Sequence, residues 1–144
     1  MADTKTLVFP TDFSEASRAA LDWVKRMADT LGATVHCVTC VHSPVILQPT
    51  VGAVYPTMED LRGEAEKRLD DFTREYLTGF AQPVQRIVLS GRPADEIVSY
   101  AAEIGAEMIV MATHGHSGLA HIIIGSTTEN VLRHAKCPVL SIRA

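Results

Sequence analysis

Residues 108–129, MIVMATHGHSGLAHIIIGSTTE, decide the fold, because they run from a short apolar segment through a loop with three glycines into a helix. The apolar residues 108–111 predict a buried strand, and Gly125-Ser126 marks the helix start. This order is typical of α/β proteins that bind phosphate, since unpaired main-chain N–H groups at the turn and at the helix N-terminus attract an anion. The stretch therefore predicts a class of ligand but names no reaction.

The rest of the chain alternates short apolar segments with segments of helical periodicity. Strands are predicted at 6–9, 34–41, 84–89, 108–111 and 138–142, and helices at 14–31, 57–78, 93–104 and 126–135. This alternation predicts an α/β fold, a single doubly wound sheet of five parallel strands with helices on both faces. In such open sheets ligands bind outside the carboxyl ends of the strands, where the strand order reverses.

The composition bounds the class of protein. The length of 144 residues predicts a single domain, 1–144, and the 47% hydrophobic content is enough for a packed core. The net charge is −4 and the 13 Lys and Arg are scattered, so no nucleic-acid partner is expected. No apolar stretch approaches the ~20 residues that cross a bilayer, and the N-terminus lacks a signal-peptide pattern. We therefore expect no membrane association and a cytoplasmic location.

Several segments match the pattern of one family. They are PTDFSEAS at 10–17, GRPADEIV at 91–98, VLRHAKCPVLSIR at 131–143, and Gly115 followed after nine residues by Gly125-Ser126. On these residues the chain resembles the universal stress proteins, whose motif is Gly, two residues, Gly, nine residues, Gly, then Ser or Thr. Ala112 stands where the motif has its first glycine. The resemblance covers essentially the whole chain.

The resemblance implies a Rossmann-like sheet in the order 3-2-1-4-5, similar to the adenine nucleotide alpha hydrolases, with a nucleotide crevice between strands one and four. It implies ATP as ligand, with or without Mg²⁺, and a homodimer formed by antiparallel pairing of edge strand 138–142. Gly115, Gly125 and Ser126 would hold the phosphates, and Asp12 would contact the ribose or base. The full set of implied site residues is Pro10, Thr11, Asp12, Cys40, Val41, Met111, Ala112, His114, Gly115, His116, Gly125, Ser126 and Thr127.

Four of these residues also have another interpretation. Ala112 is strained if its position needs a positive φ and harmless if the backbone there is extended. His116 stands where the family often has a basic residue, which predicts a modest affinity that rises at acidic pH. Ser126 forms a capping-box pattern with Glu129, and Asp12 is placed to cap the first helix. Capping and phosphate contact can coexist at one helix start.

Redox and metal chemistry are disfavoured. Cys37 and Cys40 lie three apart in a predicted strand, so their side chains point to opposite faces and cannot form a reactive pair. His114, His116 and His121 have irregular spacing and no acidic or thiol partner nearby, so we expect no metal site. The lysine-bearing phosphate loop, GxxxxGK[ST], is absent from the sequence.

Three functions remain. The first is a cytoplasmic, dimeric stress protein that is not an enzyme, whose bound ATP biases the proline-rich loop 42–56 or the dimer. The second is a slow ATP hydrolase, for which Asp12 is the one plausible carboxylate and no lysine is at hand. The third is a nucleotide-free interaction protein, which Ala112 slightly favours. We expect the first.

Overall fold

Five strands and five helices make up the part of the chain that the computed structural model describes, residues 4–42, 48–113 and 124–143. The strands are β1 Thr6–Pro10, β2 Thr34–Val41, β3 Val84–Ser90, β4 Met108–Ala112 and β5 Val139–Ile142. The helices are α1 Glu15–Arg18, α2 Leu21–Leu31, α3 Met58–Tyr76, α4 Pro93–Glu103 and α5 Ser126–His134. Within these ranges no helix has the length and apolar character to span a membrane.

All five strands are parallel and form one sheet in the order β3-β2-β1-β4-β5. This confirms the predicted α/β class and the strand order that the resemblance implied. All five residues of β1 are buried, as expected for a central strand covered on both faces. Strand β5 pairs with β4 and lies at one edge of the sheet, and β3 lies at the other.

Two apolar cores lie on opposite faces of the sheet, because successive side chains of a strand point to opposite sides. On one face Phe9 of β1 packs in a core with Leu69 of α3. On the other face Val8 packs in a core with Ile97 of α4 and Val131 of α5. The helices therefore cover both faces, as predicted.

The predicted helix 14–31 is wrong in one respect, since the structure divides it into α1 and α2. The N–H groups of Ala19 and Ala20 donate to carbonyls three residues earlier, at 3.1 and 3.2 Å, which interrupts the α-helical bonding. Trp23 falls on the apolar side of the helical spacing at 14–31, yet it is 39% exposed, and the guanidinium of Arg26 lies 4.8 Å from the centre of its ring. The apolar spacing runs unbroken through the junction, so no local pattern marks it.

The predicted capping box at the start of α5 is also wrong. Gly125 is the N-cap, with an extended backbone and no side-chain cap, so Ser126 is already the first helical residue. The side chain of Glu129 pairs with Arg133 at 2.8 Å and does not reach back to the helix start. The hydroxyl of Ser126 is therefore not used as a cap.

Candidate functional site

A cavity of about 320 Å³ opens at the carboxyl ends of β1, β2 and β4, beside the first residues of α5. This is the point where the strand order reverses, because β2 lies on one side of β1 and β4 on the other. The lining residues within the described part of the chain are Pro10, Thr11, Asp12, Ser17, Val38, Thr39, Cys40, His42, Pro93, Ile97, Met111, Ala112, Gly125, Ser126, Thr127 and Thr128.

Most of the predicted site residues meet in this cavity. Those that line it are Pro10, Thr11, Asp12, Cys40, Met111, Ala112, Gly125, Ser126 and Thr127. Val41, the last residue of β2, is not among the lining residues. His114, Gly115 and His116 lie outside the described residues.

Hydroxyl groups fix the segment between β1 and α1. The N–H of Phe13 donates to Thr11 Oγ1 at 3.0 Å, and Ser17 Oγ donates to the carbonyl of Ser14 at 2.9 Å. Since the single hydroxyl proton of Ser17 is used there, the 2.8 Å contact between Thr11 and Ser17 must have Thr11 as donor. Both hydroxyls are almost fully buried, so these hydrogen bonds hold the backbone between β1 and α1, which forms one wall of the cavity, in a single conformation.

The carboxylate of Asp12 belongs to the same segment and to the cavity wall. Its Oδ1 accepts a hydrogen bond from the N–H of Ser14 at 3.0 Å. The cap of α1 is Ser14, whose Oγ accepts from the N–H of Ser17 at 3.1 Å, so the prediction that Asp12 caps the helix is wrong. Among the described lining residues Asp12 is the one carboxylate, and none is Lys or Arg.

The opposite wall is formed where β4 leads into α5. Ala112 lies in β4, and Phe13 is the one described non-glycine residue with a positive φ, so the methyl group of Ala112 costs no strain. Thr128 Oγ1 donates to the carbonyl of Ala112 at 2.8 Å and ties the helix to the strand tip. The N–H of Gly125 donates to the carbonyl of Thr113. The first bond into the helix runs from the N–H of Glu129 to the carbonyl of Gly125. Among the described lining residues, the amides of α5 without an acceptor in the helix are thus those of Ser126, Thr127 and Thr128.

The wall between β2 and α4 is mostly apolar and contains one thiol. Cys40 Sγ lies 3.9 Å from the carbonyl oxygen of Pro93. Burial raises the pKa of this thiol to about 12, and the negative charge of the nearby Glu96 carboxylate adds a smaller contribution in the same direction. Burial also raises the pKa of Cys37 to about 12, and Cys37 lies in the core on the other face of the sheet. Both thiols are therefore protonated at neutral pH, which agrees with the prediction that they are not a redox pair.

Sequence reasoning missed seven residues of the wall: Ser17, Val38, Thr39, His42, Pro93, Ile97 and Thr128. Two signals could have found some of them. Val38 precedes Cys40 by two residues and therefore shares its face of β2. Pro93 and Ile97 are four residues apart, so they share one face of α4. Only the packing of α4 against the sheet shows that this face meets the cavity.

Known proteins match the whole of this architecture. The model of the universal stress protein family matches residues 3–143. Universal stress protein MJ0531 of Methanocaldococcus jannaschii is 33% identical over 140 residues, which cover 96% of this chain and 82% of that protein. The structure of UspA from Lactobacillus plantarum has a TM-score of 0.80 and 24% identity, over 99% of this chain and 100% of the other.

Solved structures with adenine nucleotides share the fold. A universal stress protein of Archaeoglobus fulgidus in complex with dAMP has a TM-score of 0.70 and 22% identity, over 99% of both chains. A universal stress protein in complex with cAMP has a TM-score of 0.67 and 22% identity, over 99% of this chain and 98% of the other. An Arabidopsis thaliana family member with AMP bound has a TM-score of 0.64 and 17% identity, over 96% and 91%. With a family model that spans nearly its full length, this chain belongs to the universal stress protein family.

Proposed function

We propose that this chain binds an adenine nucleotide, with ATP as the expected ligand, in the cavity at the carboxyl ends of β1, β2 and β4. The proposal rests on one observation: a single cavity of about 320 Å³ combines an apolar wall, a carboxylate and the start of a helix. Small-molecule sites fall in this range of volumes and combine apolar walls with a few placed polar groups. The complexes of related proteins with dAMP, cAMP and AMP support the same ligand class.

The apolar wall suits a purine ring. It is formed by Val38 of β2, Met111 of β4, and Pro93 and Ile97 of α4, with the protonated thiol of Cys40 among them. A flat aromatic base can bury both faces against such side chains without leaving a charged group unpaired. We therefore place the adenine between β2 and α4.

The start of α5 suits the phosphates. The N–H groups of Ser126 and Thr127 have no acceptor within the helix, and the positive end of the helix dipole favours an anion there. Since no Lys or Arg is among the described lining residues, main-chain donors and hydroxyls would supply the attraction. The expected contributions of Gly115 and His116 stay predictions.

Asp12 suits the sugar. Its carboxylate lines the cavity and can accept hydrogen bonds from ribose hydroxyls. Bonds to an ionised acceptor are roughly twice as strong as bonds between neutral groups. Asp12 would therefore favour a ribonucleotide over a deoxyribonucleotide.

Turnover is not part of the proposal. Efficient phosphoryl transfer needs phosphates held by a metal and a positioned nucleophile. Mg²⁺ is usually bound by one or two carboxylates together with the phosphates, and Asp12 is the one carboxylate among the described lining residues. Mg²⁺ would thus bind as a complex with the nucleotide phosphates rather than at a site made of protein ligands alone. We infer a binding protein that acts in the cytoplasm as a stress-response regulator or interaction module.

The proposal includes a homodimer formed through β5. The carbonyl of Pro138 accepts a hydrogen bond from the N–H of Ile109 in β4 at 3.0 Å, and that of Ile142 accepts one from Thr113, just after β4, at 2.9 Å. Since main-chain groups alternate along a strand, those of Val139 and Ser141 point away from the sheet. A second copy could pair with them in antiparallel fashion across a two-fold axis.

The test is to denature the purified protein, analyse the released small molecules, and titrate the nucleotide-free protein with ATP, AMP and GTP by calorimetry. We expect released adenine nucleotide, saturable binding of ATP and weaker binding of GTP. Asp12→Asn should weaken binding, whereas Asp22→Asn, the same change at an exposed position of α2, should not. No released nucleotide and no heat at millimolar ATP would instead indicate the nucleotide-free interaction protein. Steady ADP production would indicate the slow hydrolase.

A further inference from the structure

Phe13 has an unusual backbone next to the cavity. Its φ is 66°, and it is the one non-glycine residue with a positive φ in the described part of the chain. A side chain with a Cβ is disfavoured in this left-handed region, and a bulky one more so. Something outside the local sequence must therefore hold Phe13 in place.

The ring of Phe13 is held by α3. The guanidinium of Arg68 lies 4.5 Å from the centre of the ring, and the ring of Phe72 meets it edge-on at 5.7 Å. Phe72 is itself buried and packs against Phe9 of β1 at 6.3 Å and Tyr76 at 5.0 Å. The Phe13 side chain is thus fixed between a cation and an aromatic cluster of the core.

Asp12 and Phe13 are adjacent in the loop between β1 and α1, but their side chains point to opposite sides of it. Asp12 lines the cavity, whereas Phe13 packs against the core under α3. The left-handed turn at Phe13 brings the N–H of Ser14 back to Asp12 Oδ1 at 3.0 Å. The direction of the Asp12 carboxylate therefore depends on the backbone of Phe13.

We propose that Phe13 is a positioning residue, whose ring, fixed by Arg68 and Phe72, directs the carboxylate of Asp12 toward the sugar of the bound nucleotide. This proposal rests on the proposed nucleotide site. It assigns to α3, which contributes no residue to the cavity wall, a part in choosing between ribose and deoxyribose.

The test compares Phe13→Ala, which removes the ring, with Phe13→Tyr, which keeps it. The readout is the ratio of the dissociation constants for 2′-deoxy-ATP and ATP. We expect a ratio of about 5 or more in the wild type and in Phe13→Tyr, since one bond to a charged acceptor is lost. In Phe13→Ala, as in Asp12→Asn, the ratio should fall toward 1. Phe80→Ala truncates another side chain packed on the same core and should leave the ratio unchanged.

A second readout needs no ligand. Hydrogen exchange of the Ser14 amide, measured by NMR, reports its bond to Asp12. Phe13→Ala should speed this exchange at least about 5-fold, and Phe13→Tyr and Phe80→Ala should not. If Phe13→Ala does not fold, Phe13→Leu and Arg68→Met are measured in its place, with the same expectation.

The outcomes separate the two proposals. A wild type that binds no adenine nucleotide refutes the proposed function. Hydrogen exchange of the Ser14 amide then tests by itself whether the ring of Phe13 orients the carboxylate of Asp12. A wild type that binds nucleotide, with a Phe13→Ala variant that keeps both its ratio and its Ser14 protection, refutes the positioning role. Equal loss of the ratio in Phe80→Ala also refutes it, because the effect would then be one of general stability.

Discussion

Replacing Thr128 with valine should loosen the junction between β4 and α5 without changing its volume. Thr128 is 4% exposed, and its Oγ1 donates to the carbonyl of Ala112 at 2.8 Å. Valine fills the same space but has no donor, so the carbonyl at the buried strand tip loses this partner. The helix start that we assign to the phosphates would then be less firmly tied to the sheet.

The magnitude follows from the burial of this bond. A typical hydrogen bond contributes about 1 kcal/mol net, and an unsatisfied buried group costs about 1–3 kcal/mol. We therefore expect Thr128→Val to lower the free energy of unfolding by about 1–2 kcal/mol. With an unfolding entropy of about 2.1 cal/mol/K per residue, a chain of 144 residues should lose about 3–7 °C in Tm.

The assay is thermal denaturation followed by circular dichroism, supported by urea unfolding. Thr128→Ser keeps the hydroxyl and should recover most of the stability. Thr127→Val makes the same change one residue away, on a side chain that is only half-buried, and should leave Tm within about 1 °C. A Thr128→Val protein as stable as the wild type would refute this reasoning, as would a Thr128→Ser protein that loses as much as Thr128→Val.

Other predictions test the edge strand, a partly buried histidine and the thiol in the cavity. Ser141→Pro removes an outward N–H and should convert the proposed dimer to monomers, whereas an unchanged sedimentation coefficient would contradict it. Burial lowers the pKa of His36, whose Nδ1 lies 2.6 Å from the hydroxyl of Tyr100. The neutral form of His36 is therefore favoured in the folded state, so its contribution to stability should be complete above pH ~6.5 and decline as the pH falls through the lowered pKa. In His36→Gln the free energy of unfolding should accordingly depend less on pH in the acid range. With a pKa raised to about 12, Cys40 should react with iodoacetamide at pH 7.4 at least about 100-fold more slowly than a free cysteine, as read by peptide mass spectrometry, and fast labelling would contradict this.

The sequence predicted the features that depend on local periodicity. The buried strand at 108–111 and the other strands were found because apolar runs and helical spacing are set by neighbours along the chain. The position of Asp12 at the cavity could be predicted as well, because it directly follows a strand and the carboxyl ends of parallel strands meet at one edge of the sheet. The resemblance supplied the strand order, which periodicity does not contain.

Errors arose where the local sequence is compatible with more than one arrangement. Glu129 fits a capping box, but Arg133 engages its side chain and Gly125 takes the cap. Val41 fits the strand end, but the cavity is lined by Val38, Thr39 and Cys40 of the same strand and not by Val41. In each case the local pattern allowed two arrangements, and the packed structure chose one.

The amino-acid sequence by itself determined the α/β class, the places of the strands and the carboxyl-end location of the site, because burial patterns repeat with the period of each element. Only the tertiary structure decided that Phe13 occupies the left-handed region and that Thr128 ties α5 to β4. It also decided that α4 completes the apolar wall. These features depend on contacts between residues far apart in the chain, such as Phe13 with Phe72 or Cys40 with Pro93, which no local spacing encodes.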